Sequence, residues 1–229
     1  MAKRASYGQF CPVAKACEIF AERWTPLIIR ELFMGSRRFS DIHRGVPLMS
    51  RTLLSKRLQE LEHAGVVERT DSGAGHDLYG LTVAGEELGP IVVQLGLWGK
   101  QWTRSSLSSR DLDVGLLMWD MRRRIDTQGL PDERIVVQFL YPDAPISRRF
   151  WWLVLNRGEI DLCLVDPGLE FHLQVTTSVE VMTGIWMGDL SYGMALQNGD
   201  LSVVGPADLR NRLPSWLRLS TFAEVDRRV

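Results

Sequence analysis

Apolar positions follow two different periods along this chain, and the period changes near its middle. In the first half they recur at three- and four-residue spacing, as on one face of an amphipathic helix. In the second half short alternating runs rich in β-branched and aromatic residues take over. Pro12 suits a first helical position, and Val13, Ala16, Cys17 and Phe20 share one face of "PVAKACEIFAERW". "TPLIIRELF" begins again, with Thr25 expected as cap, Pro26 in the first turn and Gly35 as the stop. "FSDIHRGV" predicts a short third helix closed by Pro47. Ser50 caps a fourth, Gly65 ends it, and "GVVERT", the turn-rich "DSGAGHD" and "LYGLT" predict a hairpin. Thr82 then caps a long helix through "VAGEELGPIVVQLGLWGKQW", with a kink expected at Gly89-Pro90. Helix, helix, short helix, helix, two-stranded wing, helix is the order of a winged helix-turn-helix.

The fourth helix carries the chemistry. At 100° per residue Leu53, Leu54, Leu58 and Leu61 fall in one arc, which must pack on the preceding helices. Thr52, Ser55, Lys56 and Gln59 fall opposite, with Arg51 and Glu62 beside them. Such a face is either ordinary solvated surface or, near a helix N-terminus whose dipole favours phosphate, a recognition face for base edges. The helix-turn before it and the glycine-tipped hairpin after it, flanked by Arg69 and His76, favour recognition. Arg57 lies on the leucine side and is expected to pair inside the domain.

In the second half "DVGLLMWDMRRRI" predicts an amphipathic helix, and "RIVVQFLYP", "RFWWLVL", "EIDLCLV" and "EFHLQVTTS" predict strands. "VEVMTGIWMG" and "SYGMALQNG" read as short helices, followed by a strand "LSVVG" and a closing helix from "PADLRNRL". The expectation is α+β with an antiparallel sheet. Arg122, Arg123 and Arg124, set among Asp120 and Asp126, read as a solvated helix end rather than a nucleic-acid site.

Composition then narrows the picture. With 229 residues, 45% of them hydrophobic, two domains are expected: 1–104, a linker 105–111 in the serine-rich "RSSLSSRD", and 112–229. Up to Arg104 there are 14 Lys and Arg against 11 Asp and Glu, and 13 against 17 thereafter, so the halves carry +3 and −4. A polyanion suits the first. No apolar run approaches a membrane span and the N-terminus lacks a signal-peptide core, so a cytoplasmic protein without a membrane partner is expected. Cys11, Cys17 and Cys163 have neither metal-ligand nor disulfide spacing, and His172 is the one histidine of the second half. No catalytic constellation, metal or cofactor is expected.

The residues "CPVAKACEIFAERWTPLIIRELFMGSRRFSDIHRGVPLMSRTLLSKRLQELEHAGVVERT", then "YGLTVAGEEL" and "WGKQW", resemble the HxlR family of bacterial transcriptional regulators over roughly residues 8–104. The resemblance implies a winged-helix homodimer on a palindromic double-stranded DNA operator. It implies phosphate contacts from Arg37 and Arg38 and base or backbone contacts from Ser50, Arg51, Thr52, Ser55, Lys56 and Gln59. Arg69 and His76 are the contacts implied for the wing, which is short and not strongly basic. Some family members sense oxidants through a cysteine that matches Cys11. A thiol beside a helix N-terminus with Lys15 one turn on can react as thiolate, or it is structural.

Residues 112–226 resemble, by pattern, a sterol-carrier-protein-type domain, which implies helices folded over an apolar tunnel. Trp119, Trp151, Trp152, Met182, Trp186, Met187 and Met194 are the side chains suited to line it, or to fill an ordinary core. Trp151 and Trp152 must point to opposite faces. Two readings compete: a dimeric DNA-binding regulator whose second domain binds a small apolar ligand or only stabilises the dimer, and a lipid carrier whose winged helix is an interaction module.

Overall fold

The helical punctuation reappears in space. A computed structural model describes residues 6–73, 75–103, 108 and 111–228. The chain divides into two compact units, Met1–Gly99 and Lys100–Val229. The expected linker falls mostly on residues 104–107 and 109–110, outside the described residues.

In the first unit α1 (Pro12–Phe20), α2 (Thr25–Phe33), α3 (Phe39–Gly45) and α4 (Arg51–His63) precede the hairpin β1 (Val67–Asp71) and β2 (Asp77–Leu81), and α5 (Val83–Trp102) follows, its residues from Lys100 on counting to the second unit. Their apolar faces meet in one core that includes Ile28, Ile29, Leu32, Ile42, Leu54, Leu58 and Leu61. Ser50 caps α4 by accepting from the Leu53 N–H (3.3 Å), and Gly65 follows its end with φ +71°. Thr25 does not cap α2. It is the buried first residue of that helix, and Trp24 before it holds a left-handed φ of 78°. The turn Thr25 N–H to Glu22 O (3.0 Å) takes the place of a side-chain cap. Pro90 lies within α5, which is helical from Val83 to Trp102.

A buried ion pair fastens α2 to α3. Glu31 is fully buried and accepts from Arg30 Nε (3.1 Å) and Nη2 (2.8 Å) and from Ser36 Oγ (3.3 Å), while Arg30 Nη2 also donates to Gly45 O (3.0 Å). A carboxylate out of water is tolerated only with such partners. Gly45 is required here, because a Cβ on it would lie 1.9 Å from Glu31 Cδ.

The second unit contains α6 (Val114–Arg124), β3 (Ile135–Leu140), β4 (Phe150–Asn156), β5 (Glu159–Cys163), β6 (Leu173–Thr177), α7 (Val179–Trp186), α8 (Tyr192–Asn198), β7 (Leu201–Val204) and α9 (Ala207–Trp216). Asp113, Ser178 and Ser191 cap α6, α7 and α8 by accepting from the N–H three residues on. The sheet has the order β5-β4-β3-β6-β7. It is mixed, which corrects the antiparallel expectation: β6 runs parallel to β3. Residues 164–172 carry the chain from β5 at the edge past β4 and return it to the start of β3, where the His172 N–H donates to Val136 O at 2.8 Å, so β6 sets out in the same direction as β3. Ile135, Val137 and Phe139 of β3 and Trp151, Leu153 and Leu155 of β4 face the main core with Met118, Met121, Met182 and Trp216. Val136, Trp152 and Val154 form a smaller cluster.

Arg122, Arg123 and Arg124 are not a solvated helix end. Arg122 Nε donates to Ile160 O (2.7 Å), Arg123 pairs with Asp120, and Arg124 Nε donates to Leu219 O (3.1 Å). The Arg122 and Arg123 guanidiniums also lie 5.1 and 5.6 Å from the Trp119 ring centre. His172 is structural: its Nδ1 accepts from the Val136 N–H at 3.1 Å, which places any ring proton on Nε2.

Candidate nucleic-acid interface

Leu54, Leu58 and Leu61 of α4 are buried and Leu53 is half-buried, so the opposite face is turned to solvent. Arg51, Thr52, Lys56 and Gln59 are exposed there and Ser55 is half-buried. Arg51 is steadied over the Phe39 ring at 5.2 Å, and Lys56 Nζ is 3.8 Å from Glu60 Oε1 on its own helix. Arg57, as expected, is spent inside the unit: Nη2 donates to Glu22 at 2.7 Å and Nη1 to Glu60 at 2.5 Å. The Lys56 side chain is 61% exposed and that of Arg57 17%. Neighbours in sequence thus have opposite availability for a partner.

The wing is tied to the helix-turn-helix through its own backbone. The Tyr79 N–H donates to Arg37 O at 2.8 Å and Arg38 bridges antiparallel to Leu78, so the step before α3 adds a rung to β2. This leaves Arg37 and Arg38 exposed at the root of the wing. Arg38, Phe39, Ser40, His76, Asp77 and Tyr79 line an open cleft of about 400 Å³. Two of them, Arg38 and His76, were legible as contacts. Phe39, Ser40 and Tyr79 join only through the rung between Arg38 and β2, and no local pattern signals that pairing.

Arg69 is turned across the hairpin to Asp77, with Nη1 3.3 Å from Oδ2, so much of its charge is answered within the wing. Gly73 and Gly75 at the tip have φ of +70° and +77°, which suits glycine, and the His76 carbonyl accepts from Ser72 Oγ at 2.5 Å. Burial, followed by the nearby Asp77 charge, raises the Tyr79 hydroxyl above its ordinary value.

Cys11 is the half-exposed N-cap residue of α1 and makes no side-chain cap bond. Lys15 Nζ is held by Glu18 at 3.0 and 3.2 Å rather than reserved for the thiol. Cys17 and Cys163 are likewise half-exposed, and Cys163 packs on the Val136, Trp152 and Val154 cluster. The described residues hold no cluster of His, Cys, Asp and Glu fit for a metal ion. None of the described helices is long and apolar enough to cross a membrane.

The side chains expected to line an apolar tunnel do not converge. Trp151 and Met182 belong to the main core, and Trp152 faces the other side of the sheet because successive strand residues alternate. Trp119 is buried beneath Arg122 and Arg123, Met187 is the half-exposed residue after α7, and Met194 is 56% exposed. Met182 and Trp186 do meet, in a pocket of about 50 Å³ completed by Met121, Ile185, Leu217 and Leu219. At about 10–15 Å³ per water such a space holds a few waters, not a lipid.

The model of the HxlR-like helix-turn-helix family matches residues 19–107. The uncharacterized HTH-type transcriptional regulator YvaP of Bacillus subtilis is 39% identical over 98 residues, covering 42% of this chain and 91% of that protein. The HTH-type transcriptional regulator YodB of the same organism is 33% identical over 95 residues, 40% of this chain and 85% of that one. The solved structure of its reduced form shares 32% identity and covers 41% of this chain and 94% of that one, with a TM-score of 0.36.

Proposed function

The chain belongs to the HxlR-like helix-turn-helix family of DNA-binding transcriptional regulators, and from that premise we propose that two copies pair and set their α4 helices against a palindromic operator. One observation carries the contact surface: Arg51, Thr52, Lys56 and Gln59 are exposed together on α4, opposite its buried leucines. Ser50 and Ser55 flank this face, close to the helix N-terminus where phosphate is favoured. Arg37 and Arg38 at the wing root supply backbone contacts, and His76 faces the same cleft as Arg38.

Pairing is supported by apolar side chains left in solvent within the first unit. Ile91, Leu95 and Trp98 lie at helical spacing along α5 and are 50%, 48% and 59% exposed; Phe10, just before α1, and Val13, in its first turn, are 100% and 69% exposed. Large apolar groups in that number find cover in a second copy, and two recognition helices reach half-sites about one DNA turn apart. In the second unit, the sterol-carrier-like order of elements supports a domain that receives a small apolar effector. The carrier reading is the weaker alternative, because family membership rests on the DNA-binding half.

Binding of the purified full chain to DNA from its own promoter region tests the proposal. Two chains per site are expected, with affinity falling linearly in log salt by about 0.9 per phosphate neutralised. A salt-independent association, or a monomer at micromolar concentration by light scattering with and without DNA, overturns it.

A further inference from the structure

The second unit does not end with α9. Beyond Trp216 the chain turns back and is fastened at successive points. The Asp126 N–H donates to Trp216 O at 2.9 Å, Leu217 bridges to Ile125, and Arg218 Nη2 donates to Asp126 Oδ2 at 2.6 Å. The Arg218 hydrogen bond holds the Asp126 carboxyl below its ordinary value. The Ser220 N–H donates to Trp186 O at 2.9 Å. Ala223 then passes so close to Gly188, whose φ is +75°, that a Cβ there would lie 2.5 Å from Ala223 O.

The far end is fastened to the last turn of α5. Arg227 Nη2 donates to Asp189 Oδ2 at 3.1 Å, and Asp189 Oδ1 also takes Lys100 Nζ at 2.5 Å. Burial alone would raise the Asp189 carboxyl, but Arg227 and Lys100 together outweigh it and hold it below its ordinary value. The Arg228 N–H donates to Gln101 O at 2.9 Å, with its guanidinium 5.4 Å from the Trp102 ring centre.

Beneath this segment lies the 50 Å³ pocket, and two of its walls, Leu217 and Leu219, belong to the segment itself. The fixed walls include Met121, Met182, Ile185 and Trp186. Its ionisable wall group is the Tyr192 hydroxyl, which burial pushes up to about 12, so it stays neutral. A charged ligand group would have no counter-charge here; an alkyl chain or an aromatic ring would meet thioethers, an indole and aliphatic carbons.

Building on the reading of the second unit as the receiver of a small apolar effector, we infer that residues 217–228 form a displaceable strap over a binding site for a small uncharged apolar molecule, which takes the space of Leu217 and Leu219. The volume requires this, since room for a ring or chain opens only when those leucines withdraw. The fastenings permit it: the Arg218 and Arg227 side chains are 57% and 30% exposed, and Leu219 is 43% exposed. Partly exposed ion pairs of this kind are weak individually.

The test uses the full chain and N-phenyl-1-naphthylamine, a neutral fluorophore that brightens on leaving water, with octan-1-ol and octanoate as competitors. One probe per chain is expected, displaced by the alcohol but not by the carboxylate, with faster amide exchange in residues 217–228 when it binds. Leu219→Ala enlarges the pocket, and Arg218→Ala with Arg227→Ala loosens the strap without touching the pocket walls. Each removes part of the cost of opening, so probe affinity should rise roughly fivefold or more in both. No probe binding in any of the three proteins, affinity unchanged in either variant, or strap exchange unaffected by the probe overturns the inference. None of these readouts depends on DNA binding, so the regulator reading stands or falls separately.

Discussion

Two basic stretches on two helices look alike in sequence and differ in what the fold leaves of them. On α4, Arg51 and Lys56 remain exposed. At the end of α6 the consecutive Arg122, Arg123 and Arg124 are consumed by Ile160 O, Asp120 and Leu219 O, with Trp119 beneath two of them. The denser run of charge is the one unavailable to a polyanion. Basic charge can attract a partner only where the protein has not already answered it, and α4 makes the point within itself, since Arg57 next to Lys56 is tied to Glu22 and Glu60.

The contrast breaks most severely if the scaffold that presents α4 is removed. Gly45→Ala drives a methyl group into the buried Glu31 carboxylate and parts it from Arg30, at a cost of about 3–5 kcal/mol. Chemical denaturation should show that loss, and DNA affinity should fall with it. Next, Arg123→Ala removes a partner of Asp120 and part of the cover of Trp119, costing about 2 kcal/mol of stability in the second unit. Its operator affinity and salt slope should match the parent in a titration; a reduced slope would mean the α6 arginines do meet DNA.

Lys56→Ala and Gln59→Ala should behave in the opposite way, weakening operator binding by about 1–3 kcal/mol where the side chain reads a base. Melting temperatures should stay at the parent value, and unchanged affinity in both would remove α4 as the reading face. The smallest effect is expected from Arg69→Ala, about 1 kcal/mol or less, because its charge is already shared with Asp77. A larger loss in a fluorescence anisotropy titration would show that DNA draws Arg69 away from the hairpin.

Local chemistry was enough for much of this molecule. Ser50 as a cap, Gly65 as a stop, the glycine-tipped hairpin and the leucine arc of α4 act within one or two turns of chain, so the helix-turn-helix and its exposed face were readable as soon as the periods were. The same holds for the elements of the second unit, where runs of β-branched and aromatic residues marked the strands. What the tertiary structure alone decided involves partners distant along the chain. The parallel pairing of β6 with β3 follows from the return of residues 164–172 to the start of β3, and a strand's side-chain pattern looks the same in either direction. The rung from Arg37 and Arg38 to β2 builds the cleft at the wing root, and Asp77 claims Arg69. The tryptophans and methionines chosen for a tunnel separate because side-chain type reports hydrophobicity and not which core a face joins. The closing of 217–228 over the pocket by Asp126, Trp186 and Asp189 depends on groups 92, 34 and 38 residues away from their partners, between which no periodicity runs, and only folding brings them together.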